Sequence, residues 1–296
     1  MIINVNSGGG EKVTIDGVKV KEKLDLIKIV NKNVKKNSLP FEFSRGCAVV
    51  YNDEIHLMGG FYNNSSTYSK YHYKWNGTSW SKVSTLPVQL IDGACVVYNN
   101  ELYIFGTYSN EGFWHKWNGS SWTSMGALPF RLNYGHAIIF NNQIHILGSG
   151  NDGYAHYKWN GSSWTSVSTL PYFFYEGSAI VFNNQIHILG GEDNKTKHYK
   201  WNGSSWTSVS TLPYDFYWSC AVVNEGELHI LGSYDSNCYK YHYKWNVSTW
   251  TEEDKLPYDF RLGQSIVLNG EIHILGGSGG GSNHYILKQI RYKKAV

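Results

Sequence analysis

Histidine is the residue type in this sequence with the widest chemical use, because imidazole both binds metal ions and transfers protons near neutral pH. The 296-residue chain contains twelve histidines. Ligands of one metal ion must converge from different places, whereas a residue that recurs at one position of every repeat serves packing most simply. Eleven of the twelve recur in this way: His56, His145, His187, His229 and His273 at one position, and His72, His115, His156, His198, His242 and His284 at or near a second. We therefore predict no metal site and no cofactor, and only His136 falls outside the pattern.

Six short segments that each follow a Leu-Pro dipeptide combine acidic, basic and aromatic residues. Their sequences are PFEFSRG, PVQLIDG, PFRLNYG, PYFFYEG, PYDFYWS and PYDFRLG. Aromatic rings stack on the apolar faces of sugars while acids, amides and arginines bind the hydroxyls, and the same residue types suit peptide strands nearly as well. The predicted ligand-binding residues are Arg45, Asp92, Arg131, Tyr134, Tyr175, Glu176, Asp215, Tyr217, Trp218 and Arg261.

Motifs of enzyme chemistry are not recognisable in the sequence. The glycine-rich run at residues 277–281 lacks the lysine and the following helix of a phosphate-binding loop. Four loop acids fall where a carboxylate pair could form, but a scattered loop acid is more often merely solvated. These acids are Asp92, Glu176, Asp215 and Asp259. We therefore predict that the protein is not an enzyme and has no catalytic residues.

Internal repeats indicate the architecture that must position these residues. The chain has six prolines, and each follows a leucine, at spacings of 47, 42, 42, 42 and 44 residues. Residues 156–172 and 198–214 are identical in sequence. Each repeat contains four short β-prone runs, separated by Asn-Asn or Asn-Gly turns that tolerate the positive φ of tight reversals. Six such units predict an all-β, six-bladed β-propeller with four antiparallel strands per blade.

These repeats resemble the kelch family, whose marks are a strand that ends in Gly-Gly, then a Tyr and later a Trp. The double glycine occurs at Gly59-Gly60, Gly190-Gly191 and Gly276-Gly277, whereas Gly106-Thr107, Gly148-Ser149 and Gly232-Ser233 depart from it. The matching aromatic residues are Tyr73, Tyr157, Tyr199 and Tyr243, and Trp80, Trp122, Trp164, Trp206 and Trp250. The resemblance covers roughly residues 39–290 and implies a propeller, but kelch propellers serve many functions.

The sixth repeat lacks its Trp strand after Gly277, and residues 24–36 contain a spare β-prone run. We predict that this run supplies the outer strand of the last blade and closes the ring, because an open ring exposes unpaired strand edges. The propeller then spans residues 24–296. Residues 1–23, with a hairpin signal at Asp16-Gly17, are predicted to be an attachment segment that docks on a partner.

Charge and composition exclude several classes of partner. The net charge is +3, and residues 1–38 hold eight lysines against four acids. Because this excess lies on a flank rather than on the repeats, nucleic acid is not expected as a ligand. No apolar run approaches membrane-spanning length and no secretory signal is visible, so we expect synthesis in the cytoplasm and no membrane contact. The four cysteines form no CxxC pair and no disulfide framework.

The connectivity of a four-stranded blade places the turns between strands 1 and 2 and between strands 3 and 4 on one face. The 2–3 loops and the 4–1 crossovers lie on the other. The first set is uniform in sequence, whereas the second differs between repeats, as a ligand-contacting surface on a rigid scaffold would. We predict a non-enzymatic binding module for a cell-surface glycan or protein, working as a homo-oligomer on a phage tail or tail-like particle. The alternative is a kelch-fold sugar-modifying enzyme such as a sialic acid epimerase.

Overall fold

The computed structural model describes residues 3–5, 13–15, 18–19, 30–62, 68–106 and 112–290. Every regular element in these ranges is a β-strand. They contain no helix that is long and apolar enough to cross a membrane. Two compact units are present, one of residues 32–288 and the other of residues 1–31 with 289–296.

The N-terminal unit contains a three-stranded sheet with the order β1-β2-β3. Strand β1 (Ile3–Val5) pairs antiparallel with β2 (Val13–Ile15), and β2 pairs antiparallel with β3 (Val18–Lys19). Residues 16 and 17, where the hairpin turn is predicted, lie outside the described residues. The role of this segment in attachment stays a prediction.

Six four-stranded antiparallel sheets form the blades of a β-propeller, so the predicted fold class is confirmed. Strand β4 (Val30–Lys35) comes first in the chain and belongs to the sixth blade, and the short pair β5 (Phe43–Ser44) and β8 (Phe61–Tyr62) accompanies the first. Blade 1 consists of β6 (Cys47–Tyr51), β7 (Glu54–Met58), β9 (Tyr71–Trp75) and β10 (Trp80–Thr85). Blade 2 consists of β11 (Ala94–Tyr98), β12 (Glu101–Phe105), β13 (Phe113–Trp117) and β14 (Trp122–Ala127).

The remaining blades follow in chain order. Blade 3 consists of β15 (His136–Phe140), β16 (Gln143–Leu147), β17 (His156–Trp159) and β18 (Trp164–Ser166). Blade 4 consists of β19 (Ser178–Phe182), β20 (Gln185–Leu189), β21 (Lys197–Trp201) and β22 (Trp206–Thr211). Blade 5 consists of β23 (Cys220–Asn224), β24 (Glu227–Leu231), β25 (His242–Trp245) and β26 (Trp250–Glu252). Blade 6 consists of β27 (Gln264–Leu268), β28 (Glu271–Leu275), β29 (His284–Ile290) and β4.

The innermost strands form the ring. Strands β6, β11, β15, β19, β23 and β27 are neighbours in that order, and β27 lies beside β6. In blade 6 the strand order is β27-β28-β29-β4, and the N–H of Lys36 donates to the carbonyl of His284 (2.8 Å). Residues 24–29 of the predicted closing segment lie outside the described residues, and the need for that segment in closing the ring stays a prediction.

Asparagine and glycine make the tight turns of one face. Between the first two strands of blade 4, Asn183 and Asn184 both have positive φ (48° and 55°), as a type I′ hairpin turn requires. In the turn between the last two strands, Asn202 Oδ1 accepts hydrogen bonds from the N–H groups of Ser204 and Ser205 (2.9 Å each). Both arrangements recur around the ring, which explains the uniform sequence of this face.

The crossovers between blades are each fixed by a buried anchor residue, one of Phe43, Leu90, Leu132, Phe174, Phe216 and Phe260, at most 1% exposed. The first glycine after the second strand of a blade packs against the backbone of the anchor in the next blade. A Cβ on Gly190 would lie 1.9 Å from the carbonyl oxygen of Phe216, and Gly190 has a φ of +60°. Only glycine fits there, whereas the second position of the kelch pair tolerates Ser149 and Ser233.

Five blades hold a buried histidine pair between their second and third strands. In blade 4, His187 Nδ1 and His198 Nε2 lie 2.7 Å apart, and His198 Nδ1 lies 3.2 Å from Ser210 Oγ. Trp250 Nε1 of the next blade donates to the same Ser210 Oγ (3.2 Å), so the pair also links two blades. The five pairs are His56–His72, His145–His156, His187–His198, His229–His242 and His273–His284.

Candidate functional site

Six residues, one per blade, form a hydrogen-bonded ring where the crossovers enter the innermost strands. The backbone N–H of each donates to the carbonyl of the equivalent residue in the preceding blade, over 2.7 to 3.1 Å. The N–H of Arg45 donates to the carbonyl of Leu262 (2.8 Å), and this bond closes the circle. We call these residues the mouth ring: Arg45, Asp92, Tyr134, Glu176, Trp218 and Leu262.

Every residue of the mouth ring has a left-handed backbone, with φ between 51° and 59°. This conformation costs a residue with a Cβ about 1 to 2 kcal/mol. Glycine would be the inexpensive choice, yet no blade uses it at this position. Strained backbone that a structure retains is found most often at functional sites, where the side chain is needed. The mouth ring is therefore the first candidate for the functional site.

Side chains from alternate blades meet over the channel axis. The rings of Tyr134 and Trp218 are 5.1 Å apart in an edge-on arrangement. The guanidinium carbon of Arg45 lies 5.2 Å from the Trp218 ring and 5.7 Å from the Tyr134 ring. Phe61, from the 2–3 loop of blade 1, lies 5.1 Å from the same carbon. The three side chains from blades 1, 3 and 5 thus form an aromatic and cationic floor that a sugar ring or a peptide could stack on.

Arg45 is held by Asp92 of the neighbouring blade. Its Nε donates to Asp92 Oδ1 (2.8 Å), its terminal nitrogen donates to the second carboxylate oxygen, and that nitrogen also donates to the Tyr134 hydroxyl (3.1 Å). Burial raises the pKa of Asp92, although the hydrogen bond and charge of Arg45 oppose the shift. Burial disfavours the charge on Arg45, but the hydrogen bond and charge of Asp92 outweigh it and raise the Arg45 pKa. The pair is fixed in place and electrically neutral as a unit.

Glu176 has the most unusual electrostatics of the mouth ring. The residue is only 8% exposed, and its Oε2 atom is buried without a hydrogen-bond partner among the described residues. Burial raises the Glu176 pKa to about 9, reinforced by a hydrogen bond with the Glu192 carboxyl and by the charges of Glu192 and Asp92. Glu176 is therefore an uncharged carboxylic acid at neutral pH, able to donate a proton.

His136 lies just inside the mouth. Its Nε2–H donates to the carbonyl of Gly177 (2.9 Å), which leaves Nδ1 as the unprotonated nitrogen. Burial lowers the His136 pKa to about 4, so the imidazole is neutral. Below it the channel holds a cavity of about 190 Å³. Its lining includes small side chains and three thiols: Cys47, Ala48, Ala94, Cys95, Ala137, Ser178, Ala179, Ser219, Cys220, Ala221 and Ser265.

The structure brings together five of the ten predicted ligand-binding residues, namely Arg45, Asp92, Tyr134, Glu176 and Trp218, in the mouth ring. The other five lie on the same crossovers but outside the hollow at the mouth: Arg131, Tyr175, Asp215, Tyr217 and Arg261. The Asp215 carboxylate is 44% exposed and lies 4.0 Å from Lys195 Nζ. No cluster of metal-binding side chains occurs in the part of the chain that the structure describes.

Besides glycines, four residues that line the mouth were not among the predicted binding residues: His136, Ser219, Leu262 and Gln264. Leu262 occupies the sixth position of the mouth ring. The sequence indicates this position only through its place directly before Gly263, since the other ring residues hold the same place in their repeats. His136 and Gln264 follow two residues after a ring position, in blades 3 and 6. The Gln264 amide donates to the carbonyl of Gly46 across the junction of blades 6 and 1 (2.9 Å).

Comparison with known proteins supports the fold. No family model matches the chain and no curated protein matches it, so kelch membership stays a prediction. The solved structure entitled "Structure of YjhT" is similar, with a TM-score of 0.71 and 14% sequence identity, over 86% of this chain and 95% of that one. At this identity the similarity establishes a shared six-bladed propeller fold.

The prediction that the chain is not an enzyme is wrong. The similarity to YjhT concerns the fold alone. The side chains of the mouth ring are what contradict the prediction. The physical reason lies in Glu176, which was predicted to bind ligand as an ordinary loop acid and not to take part in acid–base chemistry. It is instead buried and protonated at a concave mouth, where acid–base chemistry needs such a group and simple adhesion does not.

Proposed function

We propose that this propeller is a sugar-modifying enzyme that works by proton transfer at the mouth ring, with an acidic sugar such as a sialic acid as substrate. The observation that carries the proposal is Glu176. Its pKa of about 9 and its burial describe a general acid among the residues that line the hollow at the mouth.

In an epimerisation at the anomeric carbon, the ring C–O bond breaks as its oxygen takes a proton and the anomeric hydroxyl gives one up. Closure of the open chain from the other face of the carbonyl re-forms the bond and reverses both transfers, so one group must donate a proton and another must accept one. Glu176 can donate, because it is protonated at neutral pH. His136 can accept through Nδ1, because the Gly177 carbonyl holds its proton on Nε2. Return of both protons restores the two side chains, so the cycle requires no other reactant.

The rest of the mouth ring positions the sugar. The Trp218 and Tyr134 rings offer apolar faces for the C–H groups of a pyranose. Arg45 keeps one terminal nitrogen outside its contacts with Asp92 and Tyr134, and the N–H groups of that nitrogen can donate hydrogen bonds to a substrate carboxylate. Protonated Glu176 adds no negative charge to repel that carboxylate.

The test is turnover of a panel that contains N-acetylneuraminic acid, N-acetylmannosamine and glucose, followed by proton NMR. We expect the full chain to accelerate interconversion of the acidic sugar. Glu176→Gln should lower the rate by roughly a hundredfold or more, since it removes the proton donor and keeps the shape. Asp259→Asn is the matched control, because Asp259 is a half-exposed acid paired with Lys240 on the same set of crossovers. Failure of the full chain to turn over any sugar, or full activity of Glu176→Gln, would contradict the proposal.

A further inference from the structure

A second cluster of aromatic and cationic side chains lies beside the mouth ring, on blades 5 and 6. Arg261 directly precedes the ring residue Leu262, and its guanidinium lies between two tyrosine rings. The guanidinium carbon is 4.8 Å from the Tyr234 ring and 4.5 Å from the Tyr239 ring. A terminal nitrogen of Arg261 also donates to the Tyr239 hydroxyl (2.6 Å). We call these three residues the outer clamp.

Arg261 has no acidic partner in the described part of the chain, unlike three other cations of this face. Arg45 is paired with Asp92, Lys195 with Asp215, and Lys240 with Asp259. Among the described residues, no carboxylate oxygen lies within 4.0 Å of the Arg261 guanidinium. Its buried Nε–H also lacks an acceptor in the same part of the chain. The clamp therefore holds a positive charge that no carboxylate of the described residues neutralises.

The two tyrosines prepare this charge for an anion. Stacking between rings fixes the plane of the guanidinium, so binding of a carboxylate costs less side-chain entropy than binding by a free arginine. Tyr234 is 42% exposed, which is unusual for a large ring and leaves one face open to a ligand. A fixed guanidinium beside an open aromatic face matches a sugar that carries a carboxylate.

The clamp is continuous with the mouth. The Tyr234 ring lies 6.5 Å from the Trp218 ring, and Trp218 is itself part of the aromatic floor over the channel. The Tyr217 ring lies 5.9 Å from Tyr234 on the same side. A single ring, that of Tyr234, thus separates Arg261 from the floor. This separation suits a ligand of two linked sugar units better than one.

We propose that the outer clamp binds the carboxylate of a second sugar unit, so that the substrate is an acidic di- or oligosaccharide with its reacting unit at the mouth ring. This inference rests on the proposed function and names its substrate class. The Arg261 guanidinium binds the carboxylate, and the open face of Tyr234 stacks on the pyranose that bears it. Neighbouring Trp218 contacts both units.

The experiment measures binding of two probes to the full chain by calorimetry: N-acetylneuraminic acid and its α2,8-linked dimer. The dimer should bind more tightly than the monomer. Arg261→Gln removes the charge and keeps much of the volume, and it should weaken dimer binding by roughly 10- to 100-fold, as expected for loss of a hydrogen bond to a charged group. Monomer binding should change less than about twofold, because the mouth ring is untouched. Lys240→Gln, which removes a cation already paired with Asp259, is the control and should leave both affinities unchanged.

Two results would overturn the proposal: equal affinity of the unaltered chain for dimer and monomer, or dimer binding by Arg261→Gln within twofold of the unaltered chain. Monomer turnover and melting temperature of Arg261→Gln, both expected to be unchanged, show that the variant is folded with its mouth intact. Tyr234→Ala gives a second test of the dimer-specific loss. The proposed function fails separately, through full turnover by Glu176→Gln, and the binding comparison retains its meaning in that case.

Discussion

The blade interior and the mouth ring are both built from six equivalent positions, yet they use repetition in opposite ways. In the interior the side chains themselves recur, as in the His187–His198 pair and its four counterparts. In the mouth ring the backbone recurs, with one hydrogen bond and one left-handed φ per blade, while the six side chains all differ. Packing restricts the side chain, whereas a ring of backbone hydrogen bonds leaves it free. Chemistry therefore concentrates where only the backbone is repeated.

Blade 2 shows how strictly the interior is coupled. It carries Tyr103 and Trp114 at the two positions of the histidine pair, and their rings stack 5.6 Å apart. The serine that contacts the histidine in blade 4, Ser210, is replaced in blade 2 by Gly126. In consequence the indole N–H of Trp164, in the next blade, is buried without a partner among the described residues. One change in the pair thus propagates to the neighbouring blade.

The largest effect is expected from low pH, which should lower the unfolding free energy through the paired histidines of the blade interior. Burial, and in the third strand also the partner histidine, lowers the pKa values of the paired histidines, to about 4 for His187 and about 3 for His198. The unfolded chain binds these protons from about pH 6.5 downward, and the folded chain does not. Each histidine therefore removes about 1.4 kcal/mol of stability per pH unit below 6.5, and stability is complete above it. We expect the acid-unfolding midpoint to lie above about pH 5, in denaturant titrations followed by tryptophan fluorescence.

The control for this prediction uses the arrangement of blade 2. The double variant His187→Tyr, His198→Trp should show a shallower fall of unfolding free energy between pH 6.5 and 5, because two of the ten paired histidines are gone. Identical slopes in the variant and the unaltered chain, or no fall at all between pH 7.5 and 5.5, would show that the pairs do not govern acid stability.

Deletion of residues 1–37 should cause the next largest loss. It removes β4 and leaves β29 as an open strand edge at the end of the sixth blade. We expect a melting temperature lower by at least about 10 °C, or aggregation. Deletion of residues 1–23, the predicted attachment segment, is the matched control and should leave melting nearly unchanged. Equal melting temperatures of the 1–37 deletion and the full chain would contradict the hypothesis that this segment closes the propeller.

Trp218→Ala should affect the mouth ring and leave the blade interior intact. It removes the ring contacts to Tyr134 and Arg45, so we expect affinity for N-acetylneuraminic acid to fall by about tenfold or more, with little change in melting temperature. Asn202→Ala should do the reverse, because it removes two turn hydrogen bonds on the opposite face and costs about 1 kcal/mol of stability. Loss of affinity in Asn202→Ala but not in Trp218→Ala would contradict the account, because it would place the site on the face of the tight turns.

The smallest effect concerns a turn that breaks the repeat. Val247 has a φ of 82°, where the equivalent Gly203 has 103°. A β-branched residue is strained there, so Val247→Gly should raise the unfolding free energy by about 1 kcal/mol. Gly203→Val should lower it by a similar amount, since a Cβ on Gly203 meets no atom within 4 Å and the strain lies in the backbone alone. Unchanged stability in both variants would show that these turns are too mobile to hold strain.

The sequence predicted the propeller because its signals are local and periodic: the Leu-Pro spacing and the turn asparagines. Half of the candidate binding residues were also predictable, since charged and aromatic side chains stand directly before the inner strands. Two parts were not. Leu262 carries no chemical signal, and the protonation of Glu176 depends on burial together with Glu192, a residue of another loop. The convergence of Arg45, Tyr134 and Trp218 follows from left-handed backbone at the ring, which no local pattern of non-glycine residues indicates.

The central claim is that the mouth ring holds a protonated carboxylic acid at neutral pH. The most direct test is a pH titration of the glutamate side-chain carbons by carbon-13 NMR, with the Glu176 signal assigned by its absence from Glu176→Gln. The structure predicts a pKa of about 9 for this carboxyl. A titration near the ordinary value of about 4.5 would contradict the account, because Glu176 would then be ionised at neutral pH and unable to act as the acid.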